Sequence, residues 1–287
     1  MTASLETLVV AAYLFADALP IPRNGPEGKI TDAELIALAV AQAASGQSSD
    51  RKFLGMIGYR LAGWLPHLPD QSQYNRRLRR LTPQIIQTQI AVAELIASAR
   101  IRLVDGTLIS VANYAGCAQK SGFAGHGAYG YCASKSEWVW GLRLVLLSDE
   151  KGVPLGYELR PANEREYEAS FELATGHPNT ILFADKGLWG REFAASLELI
   201  GVELVTPERH KLGQRPQAEV VKAGIRLVIE SVFANLKEQM GLRRHLARTL
   251  PGLAQRIAQR LLALTLGMFI NAQIGRPLRA LVAFGGR

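Results

Sequence analysis

Between residues 101 and 206 the apolar runs of this chain change period, and that change limits the fold more than any other feature. Residues 101–111 (IRLVDGTLISV) are rich in β-branched side chains, as a strand requires. Residues 138–148 (WVWGLRLVLLS) and 153–160 (VPLGYELR) flank Asp149-Glu150-Lys151-Gly152, the pattern of a tight hairpin. A helical pattern follows at 163–175, then a short apolar run at 180–184 (TILFA), a helix at 190–200 and a strand at 202–206 (VELVT). Three strands followed by alternating helices and strands predict a mixed sheet with helices against it. Residues 113–137, rich in Gly, Ser, Ala and Tyr, read as a long loop.

The chain ahead of residue 101 reads differently. Residues 4–19 form an apolar, helix-favouring run that ends at Pro20 and Pro22. Thr31-Asp32-Ala33-Glu34 is a capping box that starts a second helix, and a third begins at Asp50 and runs to about residue 62. A proline-bounded connector (WLPHLP, 64–69) leads into QSQYNRRLRR and a long helix to about residue 98, with Pro83 as a possible break. Residues 1–98 therefore read as an all-helical module, 99–275 as the sheet-bearing domain and 276–287 as a tail. Beyond a basic loop at 207–219 the chain reads as helical, with breaks at Gly241 and near Pro251-Gly252. The fold class expected is α/β, a mixed sheet of ribonuclease-H-like element order carrying this helical module at its N-terminus.

Charge points to a partner. Lys plus Arg number 33 against 25 for Asp plus Glu, a net charge of +8 in 287 residues, and a basic protein attracts polyanions. Most of the excess is arginine, whose planar fork grips phosphate through two hydrogen bonds. Residues 51–102 carry nine basic and two acidic residues, and 207–287 carry fourteen and four. Basic flanks around a more neutral centre suit an enzyme that holds nucleic acid and cuts it. Within the helical module Arg76, Arg77, Arg79 and Arg80 form the densest basic cluster and are candidate DNA contacts; an ordinary solvated basic face is the plainer alternative.

Other classes are disfavoured. Cys117 and Cys132 lack C-x-x-C spacing and a nearby histidine pair, so neither zinc nor a disulfide framework is expected. The N-terminal apolar run lacks a basic n-region and does not read as a signal peptide. Residues 261–274 are too short an apolar run to span a bilayer. A soluble cytoplasmic protein with no membrane partner, associated with the nucleoid when bound to DNA, is the expectation.

Three carboxylates stand out. Asp105 interrupts an apolar strand after Leu103 and Val104, and Asp185 ends another after 181–184. A charge in such a place is costly unless it binds a metal or a partner, and strand carboxyl ends are where α/β sheets build sites. Glu230 follows in a helical stretch (GIRLVIESVFANLK), where it is expected to face the sheet beside Ile229, Val232 and Phe233. Arg226, four residues before it, and Lys237, seven after, fall on nearly the same helical face. Each carboxylate alone has an ordinary explanation as a strand-end, turn or helix-surface residue. Together they are a kit for phosphoryl transfer with hard divalent cations, which prefer oxygen ligands.

These stretches resemble the bacterial insertion-sequence transposases of the DDE type, in the group numbered nine-eighty-two. The resemblance runs nearly end to end, through TDAELIALAVAQ, QSQYNRRLRRL, LVDGTLISV, the YGYCASKSEWVWGLRLVLLSDEKGVPLGYEL hairpin, LFADKGLWG, VELVTPERH and RLVIESVFANLK. It implies a catalytic triad of Asp105, Asp185 and Glu230, binding two Mg2+ ions with Mn2+ as a substitute. It also implies cleavage and strand transfer of double-stranded DNA at terminal inverted repeats, on a homodimer or larger assembly. Arg226, Glu230 and Lys237 match three positions of a tyrosine-arginine-glutamate-lysine signature, associated with handling the DNA backbone. The tyrosine position is Ala223, a departure. Lys186 and Asn163 also fall in family motifs. A ribonuclease-H-like endonuclease that only hydrolyses, and a non-catalytic DNA-binding descendant of a transposase, remain alternatives at this point.

Overall fold

A computed structural model describes residues 2–19, 28–61, 63–65, 67–112, 120–132, 136–188, 190–206 and 227–285. It divides into two compact units. One holds residues 97–233; the other holds 1–96 together with 234–287.

The first unit is built on a six-stranded mixed sheet. Its strands are β1 (Ile101–Ser110), β2 (Ala128–Cys132), β3 (Glu137–Asp149), β4 (Pro154–Pro161), β5 (Thr180–Phe183) and β6 (Val202–Val205). The central strand β1 pairs antiparallel with β3 on one side and parallel with β5 on the other, and β5 pairs parallel with β6. The far edge of β3 is shared end to end: residues 137–141 pair with β2 and 142–148 with β4. Leaving β2 aside, the spatial order is β4-β3-β1-β5-β6, three antiparallel strands continued by two parallel to the first. This is the ribonuclease-H-like arrangement that the element order predicted. The strand β2 was expected as loop. Its alternating Ala128, Gly130 and Cys132 leave too little apolar signal for a strand reading, and pairing with β3 decides the matter.

Helices α6 (Tyr167–Thr175) and α7 (Arg191–Leu199) cover one face of this sheet. Their Ala169, Ala174, Phe193 and Leu197 form one buried cluster with Val104, Val145, Leu147, Leu182 and Ala184 from the strands. Residues 163–166, expected to open α6, instead form the turn before it. The β3–β4 turn is held by Asp149, whose carboxylate accepts from the backbone N–H groups of Ser98, Lys151 and Val153 at 2.8–2.9 Å. Burial raises its pKa despite those donors.

Gly141 sits where the outer partner of β3 changes, and a Cβ there would overlap the carbonyl oxygen of Ile109 on β1. We expect Gly141→Ala to force β1 and β3 apart at a cost of about 1–3 kcal/mol, read as a lowered denaturation midpoint. An unchanged midpoint would show that the strands have room to move.

The second unit is helical: α1 (Leu5–Asp17), α2 (Asp32–Ala44), α3 (Asp50–Arg60), α4 (Gln71–Arg80), α5 (Thr82–Glu94) and the long helix α9 (Leu250–Gln273). The capping box predicted at Thr31 is present: Thr31 Oγ1 accepts from Glu34 N and Glu34 Oε2 from Thr31 N. The predicted helix from residue 71 to 98 is two helices that break at Leu81, because Pro83 cannot donate and fits the first turn of a new helix. Pro251, read as a break, likewise sits in the first turn of α9 behind the N-cap Thr249. Buried from Leu253 onward, α9 packs with α1, α2 and α5, so residues 250–273 belong to the core of the helical unit. No helix among the described residues is long and apolar enough to cross a membrane.

Candidate active site

Register and pleat place the two aspartates. In the β1–β5 ladder Leu103 lies opposite Phe183. Two residues further along each parallel strand come Asp105 and Asp185, at the same level. The extended backbone continues past the end of β5, since Ala184 N–H donates to Val205 O at 3.1 Å. Side chains alternate between faces along a strand. Val104 and Ala184 both point into the α6–α7 cluster, so Asp105 and Asp185, the next residue on each strand, present to the opposite face. Neighbouring strands lie roughly 5 Å apart. Two carboxylates at one level, on one face and one strand apart are within reach of a shared cation.

Local bonds fix the backbone at both positions. Asp105 Oδ1 accepts from Gly106 N at 2.8 Å. The carbonyl of Asp185 accepts from Leu188 N at 3.0 Å and so opens a 3-10 turn, Lys186–Leu188. Both aspartates are half-buried. On the other face, the Glu166 carboxylate lies over Gly106, which has no side chain to block it. Glu166 is ion-paired to Arg143 Nη1 at 2.5 Å, and Arg143 Nη2 donates to Ala162 O at 3.2 Å. This pair ties the turn before α6 to β3 directly behind the Asp105 position. The sequence reading missed it, because nothing in the spacing of Arg143 and Glu166 marks them as partners.

Glu230 is placed differently from expectation. It lies on helix α8 (residues 227–234) and is exposed, whereas Ile229, Val232 and Phe233 are buried. Positions 229, 232 and 233 make the apolar stripe, and Glu230, about 100° round the helix from Ile229, falls outside it. Among the described residues no three His, Cys, Asp or Glu side chains come together as a metal site. The structure thus aligns Asp105 with Asp185 and leaves Glu230 on a solvent-facing position of a neighbouring element. Lys237 falls in a π-helical turn, Asn235–Gln239, so the α-helical spacing that would put it two turns along from Glu230 does not run through. Asn163 is exposed in the turn after β4. Arg226, Ala223, Cys117 and the basic loop 207–219 lie outside the described residues, as does the side chain of Lys186.

The arginine cluster on α4 is not uniform. Arg76, Arg79 and Arg80 are exposed. Arg77 is half-buried, donating to Ile30 O at 2.9 Å and pairing with Asp32 Oδ1 at 2.5 Å, which ties α4 to the start of α2. Arg80 stands 3.8 Å from the same carboxylate. Arg77→Ala is therefore expected to cost about 1 kcal/mol of stability in this partly screened setting. Arg76→Ala and Arg79→Ala should leave the urea midpoint unchanged and lower affinity for DNA. Equal midpoints for all three variants would remove the distinction.

A protein-family model described as the transposase DDE domain matches residues 96–266. No protein of curated function matches. Among solved structures, similarity is found to the Mos1 mariner paired end complex with Mn, at 14% identity over 78% of this chain and 82% of that one, with a TM-score of 0.24. A pre-cleavage Mos1 transpososome is similar at 15% identity over 94% of this chain and 83% of that one, again with a TM-score of 0.24. Scores this low mean that the chains do not superpose as wholes, and the fold assignment stands on the strand topology and the family match.

Proposed function

Because the chain belongs to the family of transposases with a DDE domain, we propose that it cuts and rejoins the DNA of an insertion sequence of the nine-eighty-two group at that element's terminal inverted repeats. The observation that carries this reading is the alignment of Asp105 and Asp185 at one level and on one face of adjacent parallel strands.

The donor set fits a hard divalent cation: two half-buried carboxylates side by side on a rigid sheet. Asp105 and Asp185 would hold Mg2+, or Mn2+ in its place, and Glu230 would complete the ligand set for a second ion from α8. Such ions, when bound, activate a water or a 3′-hydroxyl and neutralise the leaving oxygen of a phosphodiester. The protein's own part is positioning, which phosphoryl transfer needs more than covalent help. The β1–β5 ladder sets the spacing of the aspartates, and the Arg143–Glu166 pair stiffens the strand behind them. Arg226, Lys186, Asn163 and Lys237 are assigned to the DNA backbone near the cut, and Arg76, Arg79 and Arg80 to duplex further away. Two transposon ends must meet for strand transfer, so the working form is a dimer or larger assembly on DNA.

The test is an in vitro reaction with duplexes that end in the repeats bracketing the gene. Cleaved ends and joined products are expected with Mg2+ and neither with EDTA. Cleavage without joining would instead identify a hydrolytic nuclease. Phosphate contacts release counterions, so binding should weaken steeply between 50 and 200 mM salt, by about a thousand-fold if six or more phosphates are engaged.

A further inference from the structure

The sheet face that carries the two aspartates continues into a strip of aromatic rings. Leu146 lies opposite Asp105 in the β1–β3 ladder, and no irregularity interrupts that ladder between residues 141 and 149. Counting back by twos along β3 from Leu146 gives Leu144, Leu142, Trp140 and Trp138, all on the Asp105 side of the pleat. On β2, Tyr131 pairs with Trp138 and Tyr129 with Trp140, which puts both tyrosines on that side too. The leucines are buried, but Trp138 is 69% exposed, Tyr131 51% and Tyr129 44%. The rings of Tyr131 and Trp138 stand 5.4 Å apart at an interplanar angle of 56°, so neither covers the other.

The bed beneath these rings is tightly built. A Cβ at Gly130, between the two tyrosines, would overlap the Ala162 carbonyl, so β2 lies hard against the end of β4. Trp140 packs over Gly127, where a Cβ would meet the indole at 3.0 Å. Three large rings are thus held out on a rigid edge, at the cost of leaving apolar surface in water, and no fold contact uses their outer faces.

Resting on the reading of this chain as a DNA-cutting enzyme, we propose that Tyr129, Tyr131 and Trp138 form a stacking platform for unpaired bases of a DNA strand that runs along this face. Eight residues separate Leu146 from Trp138, or about 26 Å of strand, which a DNA strand covers in about eight nucleotides. Flat aromatic faces accept any base, and stacking needs no local charge, which suits a strip whose exposed neighbours Lys120, His126 and Glu137 are mixed in sign. The chain's +8 net charge supplies the general attraction. A protein partner would also bury such rings. It would then occupy the face along which substrate has to reach Asp105 and Asp185.

The probe is a dT20 single strand, compared with a 20-base-pair duplex, on the full-length protein. Trp138→Ala and Tyr131→Ala are each expected to weaken dT20 binding about ten-fold, with duplex binding unchanged within two-fold. Trp138→Phe should retain dT20 affinity, which separates stacking from loss of fold. Unchanged dT20 affinity in the alanine variants overturns the proposal, as does an equal loss for single strand and duplex. A change of oligomeric state in sedimentation without a change in dT20 affinity would assign the strip to a second copy of the chain and also overturns it. Mg2+-dependent cleavage by the wild-type protein is scored separately. Cleavage with a silent strip sinks only this proposal, whereas absence of cleavage sinks the reading on which it rests.

Discussion

Asp105→Asn and Asp185→Asn are each expected to lower the rate of end cleavage by about a thousand-fold or more, while the protein stays folded. The first half of that expectation follows from charge. Asparagine keeps the shape of aspartate and one oxygen but loses the negative charge that holds a divalent cation. Losing a preorganised electrostatic contact to the reacting centre typically costs roughly a hundred- to a thousand-fold in rate. A cation shared by two ligands should suffer at least that. The second half follows from placement. Both side chains are half-buried beside a well-packed sheet, and neither belongs to the cluster formed by Val104, Leu182 and Ala184 on the other face. Their loss therefore removes no core contact of that cluster. One bond could confuse the result, the Asp105 Oδ1 contact with Gly106 N at 2.8 Å, but the amide oxygen of asparagine can accept it. The measurement is single-turnover cleavage of a labelled end in Mg2+, with Mn2+ titration by calorimetry on the same proteins. Full activity in either variant would remove that aspartate from the site. Weakened cation binding with lost activity and an unchanged urea midpoint is the outcome expected. Glu230→Gln belongs in the same series. Its exposed position on α8 predicts no stability change at all, so any loss of rate there reports directly on its approach to the two aspartates.

The aspartates were legible in the sequence because each breaks an apolar strand, and a strand's period is short and strict. Once Leu103 is paired with Phe183, the levels of Asp105 and Asp185 follow without further choice. The hairpin of β3 and β4 was legible for a similar reason: long alternating apolar runs and a turn that demands glycine, with Gly152 at φ +87°. Glu230 was harder. A helix presents every angle, and deciding which face is covered depends on what packs there. Ile229, Val232 and Phe233 claim the covered stripe and turn the carboxylate outward. Arg77 shows the limit for charge patterns. Four arginines in five positions look alike in a sequence, yet the backbone carbonyl of Ile30 and the Asp32 carboxylate, more than forty residues away in the chain, take one of them for the fold. The strip on β2 was illegible because its tyrosines alternate with Gly130 and small residues. Only the pairing with Trp138 and Trp140 turns a loop-like composition into a surface.

Asp50→Ala should be the most destabilising single change in the helical unit, at about 3–5 kcal/mol. Asp50 opens α3 and is 6% exposed. Its Oδ1 accepts from Gln42 Nε2 at 2.8 Å and from Arg256 Nη2, and its Oδ2 accepts from Asn75 Nδ2 at 2.5 Å. Gln42 Oε1 in turn accepts from Tyr74 OH and from Arg256 Nη1, each at 3.1 Å. Four helices, α2, α3, α4 and α9, therefore meet on one carboxylate and one amide. Arg260 lies one turn further along α9, fully buried, donating to the carbonyls of Met240 at 2.8 Å and Arg256 at 2.8 Å. Burial, with Arg256 next, opposes its charge and lowers its pKa, and those carbonyls are what a guanidinium that cannot shed its proton needs there. With Asp50 removed, two buried guanidinium groups remain near each other with no anion between them, and the penalty for an unpaired buried charge is larger than the net worth of the pair. The paired change Asp50→Leu with Arg256→Met should recover much of the loss, since it deletes both charges and fills the space with apolar volume. Urea denaturation followed by circular dichroism measures all three proteins. A loss under 1 kcal/mol for Asp50→Ala, or a double variant no better than the single, would mean that water or another carboxylate reaches Arg256 and that the four helices do not depend on this contact.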